Sequence, residues 1–164
     1  MFPPVVILYD PDINIKDIDV IVEILKKTYN IHIKEIREYT LDFRAYNETR
    51  NQYDGQKLLN KLIEKENIRF FFYIINRDLY VPIMNFVFGL ASKYYGAIVS
   101  FYRLNNMEMK IKESIHECGH VLGLEHCENF CVMQFSNSLM EAEQKPAFLC
   151  KNCVKIIENI SAKF

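Results

Sequence analysis

Eleven consecutive residues, His116-Glu117-Cys118-Gly119-His120-Val121-Leu122-Gly123-Leu124-Glu125-His126, constrain the fold of this chain more than any other feature. They read H-E-x-x-H-x-x-G-x-x-H, three imidazoles and one carboxylate at fixed spacing. Three of the protein's four histidines fall here, and His32 alone lies elsewhere, in a charged stretch expected at the surface. A helix brings His116 and His120 onto one face, where they can share a metal ion. Glu117, one step round the same helix, can reach a water on that ion without being a ligand. Gly123 lets the chain leave the helix through a left-handed conformation, swinging His126 back as a third ligand. Three ligands leave a fourth tetrahedral position open, which separates a catalytic zinc from a structural one.

The flanking residues predict a helix from about Met107 to Leu122, with Asn105 or Asn106 as its cap. Met107, Ile111, Cys118 and Leu122 fall on its back, with Ile115 and Val121 at the margins, so an apolar stripe faces a core and a polar face turns into a cleft. Cys118 then reads as a buried thiol.

The other four cysteines cluster late: Cys127 and Cys131 form C-x3-C, and Cys150 and Cys153 form C-x-x-C. This spacing fits a closed zinc site with four cysteine ligands, stapling the segment that carries His126. A redox C-x-x-C or reduced core thiols are the alternatives.

With 164 residues, half of them hydrophobic, the chain can bury one good core, so a single domain over 1–164 is expected. Twenty basic and 21 acidic residues are interspersed, which argues against a nucleic-acid partner. The start of the chain does not read as a signal peptide, and the apolar runs Phe70–Ile75 and Phe86–Ala91 are too short to span a membrane. A cytoplasmic, soluble protein is expected, monomeric by default.

The pattern predicts strands at Val5–Tyr9, Ile31–Tyr39 and Phe70–Ile75, the last central, with helices at Lys16–Tyr29 and Asp54–Lys65 between them. Leu41–Tyr53 has no clear period and reads as a loop. Strands at Met84–Phe88 and Ala97–Leu104, joined by a turn near Tyr94-Tyr95-Gly96, suggest an antiparallel connection, so the sheet is expected to be mixed. A last helix carries Cys153, Ile156, Ile157 and Ile160 at helical spacing.

The long histidine motif resembles that of the metzincin clan of zinc peptidases. His126-Cys127, Cys131-Val132-Met133 and Cys150-Lys151-Asn152-Cys153 make it similar to the archaemetzincin family, as do Arg50-Asn51-Gln52-Tyr53, Asp78-Leu79-Tyr80 and Asn85-Phe86-Val87-Phe88-Gly89 upstream. Some members carry four residues between the first two cysteines, against three here. The resemblance implies a metzincin-like α/β fold: a twisted mixed sheet, a backing helix and an active-site helix over 1–123, and a small C-terminal subdomain over 124–164. That subdomain would hold the third histidine, the four-cysteine zinc site and Met133 as the Met-turn methionine. It also implies two zinc ions and a peptide or unstructured protein substrate.

The chemistry expected is amide hydrolysis, with Glu117 taking a proton from water and passing it to the leaving amine. Amino- and endopeptidase action both stay open, as does a zinc-binding regulatory or peptide-binding module with little turnover, or a zinc-finger adaptor. Tyr80 is a candidate oxyanion donor, and the strand Ala97–Leu104 could either line the cleft or lie in the interior. Arg103 reads as a solvated charge, as do Glu125 and Glu128.

Overall fold

The computed structural model describes residues 1–66 and 68–164. Its larger sheet has five strands: β1 (Val5–Tyr9), β2 (Ile33–Glu38), β5 (Phe71–Ile75), β8 (Gly89–Ser92) and β9 (Gly96–Ser100), in the order β2-β1-β5-β9-β8. The first four run parallel, and β8 closes the edge antiparallel to β9. A smaller sheet joins β3 (Tyr46–Asn47), β4 (Gln52–Asp54), β6 (Leu79–Val81) and β7 (Met84–Val87).

The unbroken apolar run of β5 follows from its place in the middle. Phe72 and Ile74 enter one core while Phe71, Tyr73 and Ile75 enter the other, so both faces are buried and alternation disappears from the sequence. The first core packs under α1 (Ile15–Tyr29) and α3 (Met107–Leu122); the second packs under α2 (Gly55–Glu66). Two shorter helices, α4 (Leu139–Gln144) and α5 (Lys151–Ser161), follow the histidine segment.

The expected helices and the central strand are present, and three details differ. Leu41–Tyr53 is not a plain loop: it holds a 3₁₀ turn at Phe43–Ala45, β3 and most of β4. Arg50 ties this region to the next hairpin, donating to Gln52 Oε1 and to the carbonyls of Met84 and Asn85. Tertiary hydrogen bonds of this kind leave no periodic trace.

The antiparallel partner of Gly96–Ser100 is β8, whereas Met84–Val87 belongs to the smaller sheet. The strand β9 is therefore interior, buried along its length, and β8 holds the edge.

The helix α3 is not simply amphipathic, since Lys112, Glu113, Ser114 and Glu117 are as buried as its apolar back, while Met107 and Ile111 are only half-buried. The chain after Met133 folds over its polar face: Lys112 Nζ donates to Glu143 O at 2.8 Å, and Lys145 Nζ lies 2.8 Å from Glu113 Oε1. In α5, Cys153 and Ile157 are buried as expected, but Ile156 is exposed.

Among the described residues no helix is long and apolar enough to cross a membrane.

Candidate active site

Helix α3 begins at Asn106, whose Oδ1 accepts from Met109 N at 2.9 Å, and ends at Gly123 with φ +110°. Leu124 N donates to Gly119 O and Gly123 N to His120 O, a paired closure that needs the left-handed residue between them. The turn reverses the chain and brings His126 back over the helix.

His116 and His120 meet with Nε2 atoms 3.1 Å apart, and the His126 ring lies 5.4 and 4.8 Å from theirs, centre to centre. One nitrogen from each can lie within 4.8 Å of the other two. Two ligands on a tetrahedral zinc at ~2.05 Å stand about 3.3 Å apart, so the pair on α3 already has the right spread. His116 Nδ1 bonds to Val132 O at 2.9 Å and His120 Nδ1 to Leu124 O at 2.8 Å. A carbonyl only accepts, so both protons sit on Nδ1 and both Nε2 lone pairs are free. Burial first, and then the Lys145 charge, push His116 well below the usual imidazole range; burial likewise lowers His120 and His126. Neutral imidazoles are the ligand form.

Glu117 is buried beside them, pushed up to about 8 by burial and then by Glu113, with Lys145 opposing. Gly89 on β8 makes room for it: a Cβ there would stand 2.7 Å from Glu117 Cγ and 2.8 Å from Ile98 O. A cavity of about 220 Å³ opens here, with Glu113, His116, Glu117 and His120 on one side, β7–β8 residues on another, and Phe135 to Asn137 with Lys145 closing it.

The four cysteines also converge. Their Sγ atoms all lie within 4.8 Å of one another, and Cys127 and Cys150 stand 3.8 Å apart, the separation expected for thiolates on a tetrahedral zinc (about 3.8 Å). Cys150 N donates to Cys131 Sγ at 3.2 Å. Cys150 opens α5, and the Cys153 N–H above all draws its thiol down to about 6, while burial pushes up Cys131 and Cys153. The segment between the cysteines is closed by Cys127 N donating to Met133 O and Gln134 N to Cys131 O, and it reaches the histidines where His116 Nδ1 donates to Val132 O. Met133 is fully buried, and a Cβ on Gly119 would stand 2.6 Å from its Sδ and 2.7 Å from the Tyr29 hydroxyl.

The two expected clusters are thus assembled. His32, Glu125 and Glu128 are exposed, and Cys118 is a buried thiol, raised by burial. Tyr80 is turned elsewhere: its hydroxyl accepts from Asn47 Nδ2 and Arg50 stacks over its ring. Arg103 is no free charge but a two-pronged partner of Asp78, at 2.7 Å from each oxygen. The sequence reading missed Glu113 and Lys145. Glu113 could have been noticed four residues before Glu117 on the same helical face; Lys145 arrives from a distant segment and carries no local signal.

The fold is shared with solved zinc-peptidase structures. A zinc-dependent peptidase from Methanocorpusculum labreanum matches with a TM-score of 0.80 and 25% identity over 93% of this chain and 99% of that one. The archaemetzincin of Methanopyrus kandleri matches with a TM-score of 0.85 and 29% identity over 99% of both chains. These define a metzincin-like zinc metallopeptidase. The sequence pattern of peptidase family M54 matches residues 8–159, and the archaemetzincin of Nanoarchaeum equitans is 46% identical over 139 residues, 85% of this chain and 81% of that protein. The chain belongs to peptidase family M54, the archaemetzincin family.

Proposed function

We propose that the protein hydrolyses peptide bonds at a zinc ion held by His116, His120 and His126, with Glu117 as the general base. The observation that carries this is the convergence of two free Nε2 lone pairs, each fixed by an Nδ1 bond to a carbonyl, beside a buried carboxylate. Zinc bound there supplies a Lewis acid that lowers the pKa of water to about 7 and polarises the scissile carbonyl.

Glu117 accepts the proton from the attacking water and returns it to the leaving amine. Without metal, burial and Glu113 raise this carboxyl to about 8; the charge of a zinc ion beside it would favour the carboxylate, the form that accepts the proton. The outer edge of β8 borders the cleft, so an extended peptide can add to it as a strand.

Cys127, Cys131, Cys150 and Cys153 hold a second zinc as a closed structural site. On this reading residues 1–123 carry the sheets and the metal-binding helix, and residues 124–164 carry His126, the Met133 turn and the four cysteines.

The test is cleavage of a diverse peptide library by the zinc-loaded protein beside Glu117→Gln, read by mass spectrometry with zinc content measured for both. Products from the parent alone support the reading and show whether cuts fall at termini or inside. Equal products from the variant overturn the role of Glu117. No products from either protein, with zinc present in both, would favour a binding module.

A further inference from the structure

Beyond the cleft the surface carries aromatic rings that the catalytic reading does not use. Phe130, Phe135 and Phe148 are 65%, 52% and 55% exposed. Phe130 and Phe148 meet edge to face at 6.0 Å, and Phe135 meets the His126 ring at 5.0 Å. Exposed aromatic surface gathered in one place marks a contact surface more often than scattered single residues do.

Phe130 and Phe135 border a groove of about 340 Å³, completed by Gln134, Glu141, Gln144 and Lys145. Phe135 and Lys145 line both this groove and the metal cleft, so the two cavities adjoin across the Phe135 ring.

We infer that this groove is a docking site for the part of a peptide substrate that runs past the scissile bond, and that it selects an aromatic or large aliphatic side chain there. The inference rests on the proposed peptidase reading and extends it from the bond cleaved to the kind of chain that binds.

Continuity with the cleft argues for substrate as the occupant, because an extended chain leaving the cleft over Phe135 enters the groove directly. The chemistry argues for an apolar side chain. One oxygen of the exposed Glu141 carboxylate accepts from Asn137 N at 2.6 Å, and the buried Lys145 ammonium is paired with Glu113. Two phenylalanine rings then offer faces and edges on which a second ring or a branched aliphatic chain packs.

The side-chain amides of Gln134 and Gln144 make no hydrogen bond among the described residues, so each can both donate to and accept from a peptide backbone. An unstructured segment fits this arrangement better than a folded protein, whose backbone groups are already paired.

The experiment uses zinc-loaded Glu117→Gln protein and fluorescent peptides that share a core cut in the library screen, or a generic core if none is cut. The peptides are extended by four residues at either end, with a single Phe, Leu or Ser moved through the added positions. Phe or Leu at the favoured position should bind about tenfold more tightly than Ser, the scale of one good interface anchor. In Phe130→Ser that advantage should shrink to about twofold; Phe148→Ser, which removes the ring packed against Phe130 from outside the groove, should weaken it by a smaller factor. Both side chains are exposed, so the fold should persist in each variant, and thermal melting with zinc content checks it.

Equal affinity for Phe and Ser at every position, or an advantage that survives both substitutions, overturns the docking site. The two readings fail separately. A selective groove on a protein that cleaves nothing sinks the peptidase and keeps the site, whereas cleavage without selectivity does the reverse.

Discussion

The two clusters of candidate metal ligands touch in sequence, His126 beside Cys127, yet face opposite surroundings. The histidines line a cavity, and His126 itself is exposed. The cysteines close on themselves: four Sγ atoms gather with Cys131 and Cys153 buried, and the N–H groups that reach them come from their own loops. One cluster leaves room for a fourth, exchangeable partner beside a carboxylate, and the other supplies all four partners itself. An open cluster and a closed one are thus separated in space although they are adjacent in the chain. The Cys127 N–H bond to Met133 O and the Val132 carbonyl on His116 join them, so the closed cluster positions the open one.

That contrast is broken most directly at the closed cluster. Cys153→Ser removes a buried thiol that the proposal makes a zinc ligand, and should destabilise the protein by on the order of 5 kcal/mol, seen as a large drop in melting temperature with loss of one zinc. A variant that melts like the parent would show that the cysteines staple nothing.

At the open cluster the effect should fall on turnover. Glu117→Gln is expected to lower kcat/KM by about 10²–10⁴-fold with both zinc ions retained, whereas His120→Ala should reduce the zinc count from two to one per chain while the fold persists. Metal analysis together with circular dichroism separates these outcomes.

The open site also has its own pH signature in protein stripped of metal. Glu117 is raised from 4.5 to about 8, so between those values the folded state binds more protons than the unfolded chain. Its contribution to stability should therefore fall as pH rises through this window. The lowered His116, His120 and His126 give the opposite slope below about pH 6.5, so Glu117→Gln should shift the slope in the positive direction. The loss from this group between pH 5 and pH 8 is on the order of 3 kcal/mol. A denaturant titration at pH 5 and pH 8 in chelator checks it, and parallel slopes in the two proteins would sink the assignment.

The smallest expected effect concerns the floor between the clusters. Gly119→Ala drives a methyl to 2.6 Å from Met133 Sδ and should cost about 1–3 kcal/mol through displacement of that side chain. An unchanged melting temperature would mean that Met133 moves aside freely.

Much of the site was legible because its geometry is local. His116, Glu117 and His120 need only a helix, Gly123 only a left-handed cap, and each leaves its mark within eleven residues. The gathering of the four thiols was readable for the same reason, since each cysteine pair is separated by only two or three residues. The two-faced burial of β1 and β5 was equally plain from continuous apolar runs.

What stayed hidden depends on segments remote in sequence. Strand order placed β9 inside and β8 at the cleft edge, although both are short and Gly89 breaks the pattern. Tyr80 and Arg103 looked available until the fold paired them with Asn47, Arg50 and Asp78. The buried charges of α3 are the sharpest instance. By composition they belong to a solvated face, and only the return of residues 134–145 puts Lys145 against Glu113, beside the buried Glu117. The sequence by itself determined which donors meet, because a helix and a cap set their spacing within one turn. The tertiary structure decided how buried they are, what charges face them and where the cleft leads, because desolvation and electrostatics depend on chain segments that no local pattern brings together.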